Sequence, residues 1–359
     1  MEENKIFQIT SFLKKAVASG VSDVHLMVNQ PPFVRKNGNI VRVQNDPLQR
    51  VEITNALLEI TPPELLPLFN TMKDIDFMFD MPGISRFRVN YCRGLGQPEC
   101  VIRIIPYKIP TLDSLQLPSI ISEFKNLKNG IVLVTGPTGS GKSTTLAALI
   151  DQINTETAKH IITIEDPCEY VYTCKKSRVT QRVVGTDTAS FADGIKYALR
   201  QDPDVILVGE IRDKETMDIA LKAAETGHLV LATLHTNDAV QSINRIINLF
   251  DEANRDLVRR QVAETLRATV AQQLVYSSKD SKRYPACEIM VVTPTIKDYI
   301  IKDELEEIYT LIDQNAIDGM ISMNKSLANL VIEEKLTKEE ALNASSYPEG
   351  LDKILRGTY

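Results

Sequence analysis

The chain has 359 residues, too many for one core of ordinary size, and it is read as two domains. Apolar residues make up 43% and charged residues 25%, which excludes a disordered or low-complexity chain. A net charge of −6, with both signs mixed along the sequence, argues against a broad nucleic-acid footprint, which needs a basic face.

The opening Met1-Glu2-Glu3-Asn4-Lys5 leads into no long apolar run, so no secretory signal is expected. No stretch approaches the roughly 18 apolar residues of a membrane span, so no membrane insertion is expected. Any membrane connection then runs through a partner. Phe7, Phe12, Leu13, Ala16 and Val17 share one face of a first helix, and Gly20 ends it. Val24, Leu26 and Val28 alternate as in a strand. Phe33–Arg35 and Ile40–Val43 flank Asn37-Gly38, a hairpin signal. A second hairpin joins Arg86–Arg93 to Glu99–Ile105 through Gly94-Leu95-Gly96-Gln97-Pro98. Helix and strand signals mix without regular alternation, so residues 1–106 read as a small α+β domain. Pro106, Pro110 and Pro118 punctuate a linker over 107–125.

From 126 to 290 the pattern changes. Apolar runs at Ile131–Val134, Ile161–Ile164, Val205–Val208 and Leu229–Leu231 alternate with helical segments. Such runs predict a parallel sheet covered on both faces, with the ligand site beyond the carboxyl ends of its strands. A helix is drawn through Leu257, Val262, Leu266 and Val270. From 291 to 359 the signal is helical and charged, with Leu305, Ile308, Leu311 and Ile312 on one face and Leu327, Leu330 and Val331 on another. The cysteines Cys92, Cys100, Cys168, Cys174 and Cys287 form no CxxC pair and read as reduced packing residues of a cytosolic protein.

The chemistry is expected after the four apolar runs. Gly136, Pro137, Thr138, Gly139, Ser140, Gly141, Lys142, Ser143 and Thr144 follow a strand and open a helix, the pattern of a P-loop. Its glycines let backbone N–H groups face ATP phosphates, Lys142 reaches the β and γ phosphates, and the Ser143 hydroxyl binds Mg²⁺. Val205–Val208 ends in Gly209-Glu210, with Glu210 placed to activate or align water. Ile161–Ile164 ends in Glu165-Asp166-Pro167, which reads equally as a solvated turn or as acids beside Mg²⁺ and water. His228 and His235 bracket a strand of about 23 Å, too far apart to share a metal ion. His235 is placed to sense the γ-phosphate, and His228 reads as structural. Arg86 and Arg88 lie on one strand face, with Arg103 on the expected partner strand. They read either as a solvated sheet face or as a basic surface offered to a neighbouring subunit's nucleotide. Lys175–Arg178 reads as a solvated loop.

The set GPTGSGKSTT, TIEDPCEY, DPDVILVGEIRD and TGHLVLATLHT, in this order, resembles the secretion ATPases of type II secretion and type IV pilus systems, most of all their PilT-like retraction branch. Ser22–Leu26, Arg86–Asn90, Ile109–Leu112 and the stretch from Gly319 to Leu330 resemble it too. The resemblance implies an α/β chain: a PAS-like N-terminal domain, a RecA-like P-loop ATPase domain and a helical C-terminal tail. It implies a homohexamer with ATP between subunits, Glu165 and Glu210 as catalytic acids, and Glu165 reaching Mg²⁺ through water. It also implies that Arg88 and Arg103 approach the nucleotide from the domain boundary. The ring would sit in the cytoplasm at the membrane's inner face and act on an inner-membrane platform protein. Through that protein it would act indirectly on the pilin fibre, with no direct nucleic acid. No four-cysteine zinc insert interrupts the chain, as one does in the extension and secretion relatives. Thr295–Lys302 keeps only loosely the AIRNLIRE pattern of the retraction branch. The competing readings are a secretion or DNA-uptake motor, a RecA-like nucleic-acid translocase and a nucleotide-gated scaffold without turnover.

Overall fold

The computed structural model describes residues 7–36, 38–43, 46–71, 74–105, 107–314 and 319–357. Asn37, Pro106 and the opening Met1–Lys5 lie outside the described residues. The chain divides into two compact units, Met1–Lys108 and Ile109–Tyr359.

In the first unit, α1 (Ile9–Ala18) is followed by β1 (Asp23–Met27), β2 (Phe33–Lys36), β3 (Asn39–Arg42), α2 (Arg50–Ile60), β4 (Ile75–Met81), β5 (Ser85–Gly94) and β6 (Gln97–Ile105). The strands form one antiparallel sheet in the order β3-β2-β1-β6-β5-β4. Alternation decides its faces. In β5, Ser85, Phe87, Val89 and Tyr91 are buried, while Arg86, Arg88 and Asn90 are half-exposed. The buried face packs with Ile9 and Leu13 of α1 and Ile53 and Leu57 of α2. Both expected hairpins form.

The second unit runs α3 (Ile120–Glu123), β7 (Gly130–Thr135), α4 (Lys142–Glu156), β8 (His160–Glu165), β9 (Arg178–Val183), α5 (Phe191–Ala198), β10 (Val205–Val208), α6 (Lys214–Glu225), β11 (Leu229–Leu234) and α7 (Ala239–Asn248). It continues through α8 (Arg255–Thr265), β12 (Leu266–Ser277), β13 (Lys282–Val291), α9 (Pro294–Lys302), α10 (Glu307–Gln314), α11 (Met323–Ile332), α12 (Lys338–Ala344) and α13 (Pro348–Arg356). Its sheet has the order β13-β12-β7-β11-β10-β8-β9, with only β13 antiparallel to its neighbour. Every residue of β7, β10 and β11 is buried, because helices cover both faces. The four expected apolar runs are adjacent in this sheet, so their carboxyl ends emerge side by side. Asp213 and Asp238 cap α6 and α7 by accepting the N–H of Thr216 and Gln241, which fixes where those helices start.

Three expectations need correction. The helix drawn through Leu257 and Val270 stops at Thr265, and Leu257 is exposed. Leu266 and Val270 instead belong to β12, which pairs with β7 on one side and β13 on the other. A spacing of four suits a helix, but two waiting strand edges outweigh it. The linker expected over 107–125 is folded beyond Lys108: Leu112, Ile121 and Phe124 are buried in the second unit's core. The loop at Lys175–Arg178 is only partly solvated. Ser177 is buried and its hydroxyl donates to the Thr157 carbonyl at 2.6 Å, while Arg178 opens the edge strand β9.

Candidate nucleotide site

The loop between β7 and α4 requires its glycines for different reasons. Gly136 and Gly141 have φ of 138° and 91° and lie against β12. A Cβ on Gly136 would sit 2.2 Å from the Gln272 carbonyl oxygen, and one on Gly141 would sit 2.8 Å from Gln272 Nε2. Gly139, at φ 80°, would meet nothing within 4 Å, so there only the backbone conformation demands glycine. The buried Gln272 side chain supports the loop from below. Its Nε2 donates to the Ser140 carbonyl at 2.8 Å, and its Oε1 accepts from Thr145 Oγ1 at 2.8 Å.

Lys142 is buried, and its ammonium donates to the carbonyls of Gly136 at 2.7 Å and Pro137 at 2.9 Å. Burial lowers its pKa, against the opposing pull of the Glu210 and Glu169 carboxylates. Ser143, one residue on, is exposed in the first turn of α4. The Thr144 hydroxyl lies 3.1 Å from that of Tyr170. The first N–H groups of α4 have no partner inside the helix, and their partial positive charge favours an anion. The Ser140 hydroxyl is also buried without a partner. Loop, helix start, ammonium and Ser143 hydroxyl together fit a polyphosphate. Among the described residues no group of three or more His, Cys, Asp or Glu could hold a metal ion. Magnesium carried on phosphates needs few protein ligands, and the exposed Ser143 hydroxyl suits that chemistry.

Two acids stand beyond the neighbouring strands. Glu165 ends β8 and is half-buried. It accepts from Thr163 Oγ1 at 2.7 Å and Cys168 Sγ at 3.4 Å. Burial nevertheless raises its pKa. Glu210 lies two residues beyond β10, on a turn held to β11. There the Thr233 hydroxyl donates to the Gly209 carbonyl at 2.5 Å and the Ile211 N–H to the Thr233 carbonyl at 3.1 Å. Its carboxylate is gripped by Arg212, with Nε 2.6 Å from Oε1 and Nη2 2.7 Å from Oε2. His235, directly after β11, brings Nε2 to 3.1 Å from Glu210 Oε1. Burial pushes the Glu210 pKa up, but Arg212, His235 and Lys142 outweigh it and the net direction is down.

The structure therefore gathers Lys142, Ser143, Glu165, Glu210 and His235 at one edge of one sheet. His228 lies at the opposite end of β11, with Nδ1 2.9 Å from the Ala223 carbonyl. Arg88 and Arg103 belong to the first unit, where they are direct partners across β5 and β6. Arg103 Nε lies 3.0 Å from Asp23 Oδ1, and Arg88 Nε 3.7 Å from Asp76 Oδ1. Sequence reasoning assigns nothing to Arg212 or Gln272. Arg212 follows Glu210 by two residues, a signal present in the sequence but not decisive. Gln272 has no sequence signal, because it reaches the loop across 132 residues of chain.

A family model described as "Type II/IV secretion system protein" matches residues 73–341. The chain is 39% identical to the type IV pilus retractation ATPase PilT of Pseudomonas aeruginosa, over 95% of this chain and 99% of that one. It is 36% identical to the twitching motility protein of Neisseria gonorrhoeae, over 96% of this chain and 92% of the relative. A crystal structure of the pilus retraction motor PilT with bound ADP superposes with a TM-score of 0.87 at 38% identity, covering 97% of this chain and 99% of that one. The two-part α/β fold, with its N-terminal α+β unit and its P-loop unit, is that of this motor. Matched in sequence and fold over nearly its whole length, the chain belongs to the type II/IV secretion system family, in its PilT-like ATPase branch.

Proposed function

We propose that this protein is the motor that retracts a type IV pilus, hydrolysing Mg-ATP as a cytoplasmic homohexamer at the inner face of the cytoplasmic membrane. It acts on an inner-membrane platform protein and so, indirectly, on the pilin fibre. The observation that carries this reading is the 39% identity with a pilus retractation ATPase over nearly the full length of both chains. No helix among the described residues is long and apolar enough to cross a membrane.

In this reading Gly136–Thr144 bind the phosphates through loop backbone and helix start. Lys142 exchanges the Gly136 and Pro137 carbonyls for phosphate oxygens, a favourable move for a buried ammonium. Ser143 would hold Mg²⁺ directly and Glu165 through water. When bound, the ion neutralises charge on the β and γ phosphates. Glu210 is kept ionised by Arg212 and His235, so it acts first by orienting the attacking water and accepts its proton only as bond making proceeds. His235 reports the state of the γ-phosphate to Glu210 through their shared contact. Arg88 and Arg103 are the N-terminal unit's candidates to meet a neighbouring subunit's nucleotide, leaving Asp76 and Asp23. Alanine at either arginine should slow hydrolysis more than it weakens ATP binding.

The test is genetic and direct. Deleting the gene should leave cells with surface pili that extend and never retract. Normal retraction in the deletion, with secretion or DNA uptake lost instead, would move the chain to another motor of the same family. Light scattering with nucleotide should show six copies, and a monomer with full turnover would remove the ring from the proposal.

A further inference from the structure

Glu288 is a carboxylate in the core. It lies in β13 and is 6% exposed. It accepts the N–H of Ala239, the first residue of α7, at 2.9 Å. The backbone N–H of Met323, the first residue of α11, also faces it and favours its ionised form. One side chain thus satisfies an orphan donor at the start of α7 while its charge faces the start of α11. Burying a carboxylate is costly, and nothing in the turnover argued above uses it.

What the two helices connect gives the position its meaning. α7 begins four residues after His235, and that short segment is pinned at both ends. His235 reaches Glu210 at 3.1 Å, and the Thr236 hydroxyl lies 2.6 Å from that of Ser242 inside α7. α11 belongs to the C-terminal helices, which are fastened to β13 around Glu288. The Ile289 N–H donates to the Ile321 carbonyl at 2.8 Å, and the Cys287 N–H donates to Ser326 Oγ at 2.9 Å. A third tie comes from α10, whose Tyr309 hydroxyl donates to Asp238 Oδ1, the cap of α7, at 3.2 Å.

The geometry points to Glu288 as a positioning residue that fastens the His235 turn to the C-terminal helices, so that movement of those helices alters turnover at Glu210. This rests on the ATPase reading and assigns its site a mechanical input.

The charge around Glu288 makes the tie sensitive to pH. Asp238 faces it from the start of α7, and Tyr309 and Asp313 from α10. On α11, Lys325 donates to the Asp313 backbone carbonyl. Burial and the neighbouring Asp238 and Asp313 raise the Glu288 pKa to about 7, while its two N–H donors hold it down. Protonation removes the charge that these N–H groups favour and weakens the Ala239 bond. Turnover should therefore fall as pH drops through about 7.

Steady-state hydrolysis by the full chain, with ATP as the probe, tests this across about pH 6 to 9. The wild type should show the acid-side fall. Glu288→Gln keeps the shape but carries no charge and does not titrate in this window. It should lose about tenfold in kcat with KM for ATP unchanged, and its rate should be flat through the window. Ala239→Pro removes the donor instead. Proline is tolerated at the first position of a helix, and Asp238 before it is already extended at φ −146° and ψ 172°. It should lower kcat in the same direction, which keeps the test alive if the core variant does not fold. A Glu288→Gln or Ala239→Pro enzyme with wild-type kcat overturns the proposal, as does a Glu288→Gln profile parallel to the wild type. A wild-type chain without any turnover overturns the ATPase reading itself.

Discussion

The ends of β8 and β10 carry the same residue type in opposite states. Glu165 is half-buried with hydroxyl and thiol donors, and burial raises its proton affinity. Glu210, two residues beyond the next strand of the sheet, is held by a guanidinium and an imidazole and has its proton affinity lowered. Two carboxylates pushed apart in this way suit different tasks: one stays ionised to face water, the other is sensitive to any cation brought beside it. A charge in the desolvated position would gain most from a bound magnesium, which is where the proposed function places it.

The largest expected effect is on Glu210. Glu210→Gln should leave ATP affinity near the wild type and reduce single-turnover hydrolysis by about 10³-fold. Lys142→Ala should differ by weakening ATP binding itself, since it removes a phosphate contact. Near-normal hydrolysis by Glu210→Gln would hand the catalytic role to Glu165 and reverse the comparison.

Glu165→Gln comes next, with a loss of about 10²-fold, recovered in part at raised magnesium concentration. Here stability separates the two acids more sharply than rate. A carboxyl whose folded pKa is raised stabilises the fold below its ordinary pKa, and that contribution is lost as pH rises through the folded value. Glu165→Gln should therefore raise Tm at neutral pH, with the gain vanishing in acid. Glu210 has the opposite sign, since its lowered pKa gives stability above the ordinary carboxylate range that is lost as pH falls. Glu210→Gln should lower Tm at neutral pH. Thermal scans of both variants at two pH values check this, and Tm shifts of the same sign would break the contrast.

Arg212→Ala should act more weakly, through Glu210 rather than on nucleotide. It should slow turnover about tenfold and move the acid limb of the pH–rate profile upward, because Glu210 would lose the partner that holds its pKa down. An unshifted limb would mean that His235 and Lys142 suffice. The smallest effect is expected at Gln272. Gln272→Leu removes both hydrogen bonds under the loop, leaving the Ser140 carbonyl and Thr145 hydroxyl unpaired. It should cost about 1–3 kcal/mol of stability and raise KM for ATP a few-fold, with kcat almost unchanged.

Much of this site was legible in the sequence because its geometry is local. A P-loop is one strand, one turn and one helix start, so Gly136–Thr144 declare themselves by spacing alone. Glu165, Glu210 and His235 stand out in the same way, each at or just beyond the end of a run of apolar residues read as a buried strand, although the Glu165 stretch reads equally as a solvated turn. Only the tertiary structure decided what depends on pairing across distance. It brought the four strand ends together, since parallel neighbours are chosen by crossover and packing and not by adjacent residues. It made Leu266–Ser277 a strand where a helical spacing reads equally well, because β7 and β13 offered two ladders of hydrogen bonds. It buried Gln272 and Glu288 against partners far away in the chain, where no local pattern could announce them. It also separated the fates of Glu165 and Glu210, because the pKa of an acid is set by the charges and burial around it, which residue type alone does not carry.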